Sequence, residues 1–195
     1  MKYTREDAQN ALNDLSDPEL KPFDYEFARC VVLTATVADV TIATAESVTG
    51  GLVSQLLTRV AGSSTVFRGG VVAYSTDLKH QLLGVDEQLL QRGGPVQSDV
   101  AIAMAQGAAT RLNARFGIAT TGVAGPEASG DRPVGEVHIA LFDAQTSSSR
   151  VHSLKFSGTR DEIREQTAIA LFGLALDVLI PLAGLVRPAA DTPEA

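Results

Sequence analysis

Apolar and polar positions follow one another along much of this chain in patterns typical of β-strands and helices. Residues 41–44 alternate with the two-residue period of a strand, whereas the apolar residues at 52–57 recur with helical spacing. Along the whole chain, the pattern predicts strands at 41–44, 66–74, 116–121, 134–143 and 150–156, and helices at 51–60, 76–83, 87–91, 98–114 and 159–182. Strands that first alternate with helices and then follow one another predict an α/β fold, with helices covering both faces of a mixed, mostly parallel sheet of about five strands.

Two further helices are predicted before this region, at 5–15 and 24–38, with two helix-breaking prolines between them. We expect residues 1–39 to pack on the domain that residues 40–183 form, or on a partner subunit.

The C-terminal region divides into a long helix and a tail. The helix predicted at 159–182 is apolar around much of its circumference, so it is either deeply buried or shared with a partner subunit. Residues 184–195 are rich in Pro, Ala, Asp and Glu, and this composition predicts a disordered tail.

Ser47 is the first candidate site residue, because it stands where the first predicted strand turns into a helix. Such a turn exposes a side chain at the edge of a sheet, and Gly50 and Gly51 let backbone N–H groups approach a ligand. We expect Ser47 to be a nucleophile, and the segment of Thr49, Gly50 and Gly51 to bind substrate or a developing oxyanion. The alternative is that Ser47 or Thr49 is an N-cap and the glycines are turn residues. The segment alone leaves both interpretations open.

A second strand-to-helix segment places Tyr74 at the end of its strand and Lys79 about one turn into the helix. The carboxyl ends of parallel strands meet in one crevice of an α/β sheet, so Ser47, Tyr74 and Lys79 are expected to lie close together there. A lysine acts as a base only if burial lowers its pKa toward neutrality. The alternative for Lys79 is a solvated helix lysine.

A long loop rich in Gly and Pro, residues 120–135, separates two predicted strands. Loops of this length are typically functional or mobile, and small residues such as Gly122 allow close backbone approach to a polar ligand. Ordinary turn chemistry explains the same composition.

Composition and charge narrow the function classes. With 195 residues and 45% hydrophobic content, the chain is long enough for one domain with a buried core. The net charge of −7 argues against nonspecific nucleic-acid binding, which relies on a basic surface. We find neither a signal peptide nor an apolar run expected to cross a bilayer, so we expect a cytoplasmic enzyme with no membrane partner.

Cysteine and histidine give little indication of a metal or a disulfide. Cys30 is the only cysteine and lies in an apolar run, so we expect a buried core residue. His80, His138 and His152 fall in separate elements without the spacing of metal ligands, and we expect neither a metal nor a cofactor.

Six blocks of the chain together resemble the C-terminal domain of CinA, the competence/damage-inducible protein family that includes nicotinamide-nucleotide amidohydrolases. They occur in the order and spacing of the family between about residues 40 and 178, at 44–51, 60–64, 68–79, 121–126, 132–135 and 156–160. The resemblance implies a three-layer α/β/α fold. It also implies homo-oligomers, and we expect a homodimer or a larger assembly.

The resemblance further implies metal-independent hydrolysis of the carboxamide of nicotinamide mononucleotide to the acid, with release of ammonia. By this resemblance Ser47 is the nucleophile, Lys79 the base and Tyr74 a positioning or relay group, while Thr121 and Arg160 match positions of the substrate pocket. An arginine suits the substrate phosphate because its guanidinium binds phosphate in a bidentate manner. The alternative for Arg160 is an arginine in the first turn of a helix, paired with a neighbouring acid or solvated.

The sequence departs from the family pattern at three places. Val48 stands where cysteine is common, Gly70 where an aromatic or bulky residue is usual, and Pro95 lies in a variant loop. None of these departures removes a candidate catalytic group, but Gly70 and Pro95 are expected to affect the shape of the pocket.

Two alternatives to this activity follow from the same residues. The first is a non-catalytic binding module of this fold that acts in competence or DNA-damage physiology. The second is an amidohydrolase with a different amide substrate.

Overall fold

The computed structural model describes residues 3–15 and 24–188, and the helices and strands predicted within these ranges are present. The helices are α1 (Arg5–Asp14), α2 (Asp24–Val37), α3 (Leu52–Arg59), α4 (Thr76–Leu83), α5 (Glu87–Gly93), α6 (Ser98–Arg111) and α7 (Arg160–Ala183). The strands are β1 (Ile42–Glu46), β2 (Phe67–Val72), β3 (Phe116–Gly122), β4 (Glu136–Asp143) and β5 (Ser148–Lys155). A short 3₁₀ helix at Ser63–Thr65 precedes β2.

The five strands form one mixed sheet in the order β2-β1-β3-β4-β5. Strand β1 pairs in parallel with both β2 and β3, whereas β4 is antiparallel to β3 and to β5. Four strands therefore run in the same direction and β4 alone runs against them. This confirms the predicted α/β fold with a mixed, mostly parallel sheet.

Helices cover both faces of the sheet, because successive residues of each strand face opposite sides. Ile42 and Ile118 belong to the core cluster shared with α1, α2, α3 and α7, while Ala43 and Ala119 belong to the cluster shared with α4, α5 and α6. Helix α6 lies close to the sheet, since a Cβ at Gly117 would come within 1.8 Å of the carbonyl oxygen of Ala105. Small residues on this face thus allow the tight packing of α6.

Helix α7 requires a correction to the sequence analysis, which found no apolar run expected to cross a bilayer. Its 24 residues have a mean hydropathy of 1.8 in their most apolar stretch and are long and apolar enough to do so. However, 56% of that stretch is buried inside the domain, where Leu171 and Phe172 belong to the main core cluster. Helix α7 is therefore placed as a core helix. A core helix can be as long and as apolar as a membrane-spanning helix.

The N-terminal segment packs on the same chain. Helix α1 buries Ala8, Ala11 and Leu12 in the core, and α2 packs against α7. The Tyr3 hydroxyl donates to Ala61 O at 2.7 Å, so the residues before α1 also contact the domain.

The predicted breaker segment and tail are only partly covered by the structure. The two prolines lie in residues 16–23, outside the described ranges, as does most of the tail, residues 189–195. At the described start of the tail, Gly184 ends α7 and Arg187 forms an ion pair with Asp177 at 2.9 Å.

Candidate active site

The carboxyl ends of β1, β2 and β3 meet at one edge of the sheet, and a cavity of about 280 Å³ lies there. Ser47 is the first residue after β1, and its backbone N–H donates to Thr120 O at 3.1 Å, which continues the parallel pairing beyond the strand. Ser47 is 8% exposed and lines this cavity. Six of the nine residues predicted for the site line this cavity, namely Ser47, Tyr74, Lys79, Thr121, Gly122 and Arg160.

The turn after Ser47 is held by Glu46, a buried residue that the sequence analysis missed. Its Oε2 accepts hydrogen bonds from the N–H groups of Gly51 (2.9 Å) and Val53 (3.0 Å), and its Oε1 accepts from the N–H (2.8 Å) and hydroxyl (2.6 Å) of Ser54. The carboxylate thus satisfies donors at the N-terminus of α3 and also faces the positive end of the helix dipole. An acidic residue at the end of a buried strand, with a helix start a few residues later, was the available signal.

Thr49, Gly50 and Gly51 do not line the cavity, so the structure does not bring the whole predicted segment together. Thr49 is fully buried, and its hydroxyl donates to Glu46 Oε2 and lies 2.8 Å from Thr120 Oγ1. Gly50 and Gly51 adopt left-handed conformations with φ of 60° and 100°, which turn the chain into α3. These three residues shape the turn that carries Ser47.

The N-cap alternative for Ser47 and Thr49 is wrong, because the N-cap of α3 is Gly51. A glycine offers no side-chain acceptor, and Glu46 supplies the acceptor from the end of β1 instead.

Lys79 is 1% exposed although it lies in the second turn of a surface helix, so the solvated-lysine alternative is wrong. Its Nζ donates to Ala73 O at 2.8 Å and to Tyr74 O at 3.3 Å. Burial lowers the pKa of Lys79 from 10.5 to about 8, against a weaker opposing effect of the Asp77 charge. A substantial fraction of this side chain is therefore a neutral amine in mildly alkaline solution.

Tyr74 and Arg160 form a bridge at the mouth of the cavity. Tyr74 lies two residues beyond the end of β2, and its side chain is largely exposed. Arg160, the first residue of α7, donates from Nη2 to the Tyr74 hydroxyl at 2.6 Å and from Nη1 to Gly125 O at 2.7 Å. The arginine is thus neither a freely solvated residue nor paired with an acid of its own helix.

Thr121 and Gly122, the last two residues of β3, line the cavity. The Thr121 hydroxyl donates to Pro95 O at 2.7 Å, which ties the loop before α6 to the sheet. A Cβ at Gly122 would come within 2.6 Å of Glu136 O, so this position requires glycine for the close approach of β4. Pro95 also lines the cavity, as expected if its departure from the family pattern affects the shape of the cavity.

Gly70 does not line the cavity, contrary to the expectation that it affects pocket shape. A Cβ at Gly70 would lie 2.2 Å from Thr44 Oγ1 and 2.3 Å from Ser54 Oγ. These two hydroxyls are hydrogen bonded to each other, and Ser54 is bonded to Glu46. The absence of a side chain at position 70 therefore makes room for the hydrogen-bond network under the turn.

The loop after β3 supplies two polar cavity residues that the sequence analysis did not single out, Glu127 and Ser129. Both lie in the loop of residues 120–135, whose composition could indicate function without indicating which side chains point inward.

Cys30, His80 and His138 lie outside the cavity and have structural contacts. Burial raises the pKa of the Cys30 thiol to about 12, so Cys30 is an inert core residue. His80 Nδ1 lies 2.8 Å from Val85 O, and His138 lies among Ser98, Ser153 and Glu136. Within residues 3–15 and 24–188, no group of three or more His, Cys, Asp or Glu side chains is arranged to hold a metal ion.

Solved structures described as competence or damage-inducible proteins have the same fold as this chain. The competence/damage inducible protein CihA from Agrobacterium tumefaciens is 38% identical, with a TM-score of 0.76 over 84% of this chain and 98% of that one. A competence or damage-inducible protein from Enterobacter asburiae is 25% identical, with a TM-score of 0.77 over 82% of this chain and 99% of that one.

Sequence relatives agree with the structural ones. A CinA-like protein from Frankia casuarinae is 46% identical over 142 residues, which are 73% of this chain and 32% of that protein. A CinA-like protein from Geobacter sulfurreducens is 48% identical over 130 residues, 66% of this chain and 31% of that protein. This chain therefore spans about a third of the length of these relatives.

The CinA C-terminal domain matches residues 24–179 of this chain. The match begins before residue 40, where the resemblance of the sequence motifs starts, and it includes α2. The chain belongs to the CinA C-terminal domain family.

Proposed function

We propose that this chain hydrolyses the carboxamide of nicotinamide mononucleotide to the carboxylic acid and ammonia, with Ser47 as nucleophile and Lys79 as base. The observation that carries the proposal is a buried lysine with a pKa of about 8 in the same cavity as a serine that directly follows a β-strand. A primary amide is a poor electrophile, so its hydrolysis requires an activated nucleophile and a proton for the departing ammonia.

The hydrogen bonds of Lys79 suit a base. A neutral amine has two N–H donors and one lone pair, and the two donors can be taken by Ala73 O and Tyr74 O. The lone pair is then left to accept a proton. Lys79 takes the proton of the Ser47 hydroxyl as its oxygen attacks the carboxamide carbon, and delivers it to the nitrogen that leaves as ammonia. Water then hydrolyses the acyl ester on Ser47 and restores the enzyme.

The N–H of Val48 is a candidate donor for the oxyanion that forms in this step. Val48 follows the nucleophile and lines the cavity, and no acceptor within the described residues binds its N–H. Its neighbours in the turn are held by Glu46, so the donor is positioned before the reaction begins.

Arg160 is the candidate for the phosphate of the mononucleotide. Its contacts with Tyr74 and Gly125 use one N–H of each terminal nitrogen, which leaves other N–H groups for an anion. It also stands in the first turn of α7, where the helix dipole favours negative charge.

Ammonia release tests this proposal. The purified protein is incubated with nicotinamide mononucleotide in the presence of EDTA, and ammonia and the nucleotide acid are both measured. We expect equal amounts of the two products. A folded protein that releases no ammonia from this substrate would overturn the proposal. Turnover of simpler pyridine carboxamides alone would instead identify an amidohydrolase with a different substrate.

A further inference from the structure

Arg164 connects helix α7 to the turn that carries Ser47. It lies in the second turn of α7, where its Nη2 donates to Thr49 O at 3.0 Å and its Nη1 forms an ion pair with Asp161 at 2.9 Å. The side chain is 29% exposed and does not line the catalytic cavity. The proposed reaction gives Arg164 no role, although the oxygen that it binds belongs to the second residue after the nucleophile.

The peptide group that joins Thr49 to Gly50 links this contact to Ser47. Its C=O accepts from Arg164 and also from the N–H of Leu52 at 3.2 Å, while its N–H donates to Ser47 O at 3.1 Å. A carbonyl oxygen has two lone pairs, so it can accept both bonds. Because a peptide group is planar, the direction of its C=O also determines the direction of its N–H. Arg164 therefore helps to keep the N–H of Gly50 directed at Ser47 O.

The peptide group that joins Ser47 to Val48 comes next along this path. Its C=O accepts the bond from Gly50, and its N–H, at the cavity wall, is the candidate donor for the oxyanion. The same planarity applies here, so the bond at Ser47 O sets the direction of the Val48 N–H. Hydrogen bonds in such a chain also polarise one another, which strengthens each donor. Two peptide groups thus connect the guanidinium of Arg164 to the oxyanion donor.

We propose that Arg164 is a positioning residue that orients the Val48 N–H toward the oxyanion through these two peptide groups. The inference rests on the proposed function, which places an oxyanion at this N–H. It gives two arginines of α7 different roles, because Arg160 in the first turn lines the cavity and Arg164 in the second turn does not. Arg160 is the candidate for substrate binding, whereas Arg164 acts on the chemical step alone.

Kinetics with two compounds test this role in the wild type, Arg164→Ala and Arg29→Ala. Arg29 is the matched control, because its side chain is 33% exposed, forms an ion pair with Glu26 three residues earlier at 3.5 Å and does not line the cavity. Ammonia release is measured with nicotinamide mononucleotide and with nicotinamide. We expect Arg164→Ala to lower kcat about tenfold on both compounds and to keep KM within about twofold, since an oxyanion forms on either compound and loss of a donor itself costs about a hundredfold or more.

Two kinetic results would overturn the inference. A loss confined to the mononucleotide would mean that Arg164 acts on the phosphate. Unchanged kcat in a folded Arg164→Ala, with urea unfolding as the check of the fold, would mean that the turn keeps its geometry without the arginine.

Asp161→Asn separates the bond to Thr49 O from the ion pair. The variant removes the charge that pairs with Arg164 and leaves the guanidinium able to donate to Thr49 O. We expect kcat close to that of the wild type. If Asp161→Asn lowers kcat as much as Arg164→Ala does, the ion pair at the start of α7 explains the loss and the inference is wrong.

The rate at which an alkyl fluorophosphonate labels Ser47 separates this inference from the choice of substrate. The serine oxygen bonds to phosphorus, fluoride leaves, the serine proton passes to Lys79, and the phosphoryl oxygen takes the place of the oxyanion. Slower labelling in Arg164→Ala but not in Arg29→Ala would support the inference even if the mononucleotide released no ammonia. Equal rates in the wild type and Arg164→Ala would refute it and leave the proposed function standing. A wild type that is not labelled at Ser47 would contradict both proposals.

Discussion

The Tyr74 hydroxyl accepts a hydrogen bond of 2.6 Å from Arg160 Nη2, which joins the segment after β2 to the start of α7 across the mouth of the cavity. Arg160 also donates to Gly125 O, so three separate parts of the chain meet at this guanidinium. The arginine therefore has a positioning role in the structure beside the phosphate-binding role proposed for it.

Arg160→Ala separates these two roles. If Arg160 binds the phosphate, the variant should raise KM for nicotinamide mononucleotide and lower kcat as well, because remote binding energy helps to orient the carboxamide. Nicotinamide lacks the phosphate and should be a poor substrate whose turnover changes little. The measurement is kcat/KM for both compounds with both proteins. An equal proportional loss on the two compounds would assign Arg160 to cavity geometry alone.

Tyr74→Phe is the companion to that variant. It removes the hydroxyl that accepts from Arg160 and leaves the ring in place. A phosphate-binding arginine freed from this contact should still discriminate between the mononucleotide and nicotinamide. Loss of that discrimination in Tyr74→Phe would show that it depends on the hydrogen bond between Tyr74 and Arg160 and not on the arginine alone.

Ser47→Ala is expected to abolish turnover and to preserve the fold. The Ser47 backbone N–H still donates to Thr120 O in the variant, and only a hydroxyl facing the cavity is removed. Loss of a nucleophile commonly costs several orders of magnitude in kcat. Circular dichroism and urea unfolding check the fold, and Ser64→Ala, at an exposed serine, is the control. Near wild-type ammonia release by folded Ser47→Ala would contradict the serine mechanism.

Glu46→Gln is expected to lower both stability and kcat. An amide nitrogen cannot accept a hydrogen bond, so in either orientation of the side chain at least two donors near the start of α3 lose their acceptor. An unsatisfied buried donor costs about 1–3 kcal/mol. The same carboxylate holds the turn after Ser47. We therefore expect the fold-change in kcat to be larger than the fold-change in KM.

Urea unfolding and steady-state kinetics measure the effect of Glu46→Gln. Glu87→Gln serves as the control, because Glu87 is exposed and His80, at 3.7 Å, is the only ionisable partner of its side chain among the residues that the structure describes. Unchanged kcat in a destabilised Glu46→Gln would show that Glu46 supports the fold without positioning the nucleophile.

The sequence was sufficient to predict the sheet and the convergence of Ser47, Tyr74 and Lys79 on its edge, because periodicity identifies strands and the ends of parallel strands meet. Thr121 and Arg160 were predicted from the family resemblance instead.

Glu46 was missed because most of its donors, three backbone N–H groups near the start of α3 and two hydroxyls, become its partners only through the turn that the folded chain makes. Thr49 was wrongly placed in the site because a threonine close to a nucleophile can either contact a ligand or be a buried hydroxyl. The sequence does not distinguish these two roles. The role of Gly70 was also not predictable from the sequence. It depends on two hydroxyls of other elements that lie within 2.3 Å of the position a Cβ would occupy at this residue.

The burial of Lys79 sets the expected pH dependence of activity. The base must be neutral in the resting enzyme, so kcat/KM should rise with pH through a single ionisation near the Lys79 pKa of about 8. Lys79→Arg should be nearly as inactive as Lys79→Ala, because arginine stays protonated in proteins. The test is a pH profile of ammonia release for the three proteins. Substantial activity in Lys79→Arg would mean that the residue supplies positive charge and not a base.

Lys79 also predicts how stability depends on pH, with a sign opposite to that of a lysine whose pKa is raised by an ion pair. Its pKa is lowered from 10.5 to about 8 in the folded chain, so between these values the unfolded chain binds a proton that the folded chain does not. Stability therefore rises with pH across this window by about 1.4 kcal/mol per unit, or about 3 kcal/mol in total, and is lowest below pH 8, where the buried ammonium is charged.

Lys79→Met isolates this contribution, because it keeps most of the side-chain volume and removes the titrating group. Its loss of the bonds to Ala73 O and Tyr74 O changes stability by an amount that does not depend on pH. The free energy of unfolding is measured in urea for both proteins between pH 7 and pH 10, and the titration of all other groups cancels in the difference. The wild type should gain stability relative to Lys79→Met as the pH rises above 8. A difference that stays flat would mean that Lys79 keeps its proton in the folded chain, and the lysine could then not serve as the base for Ser47.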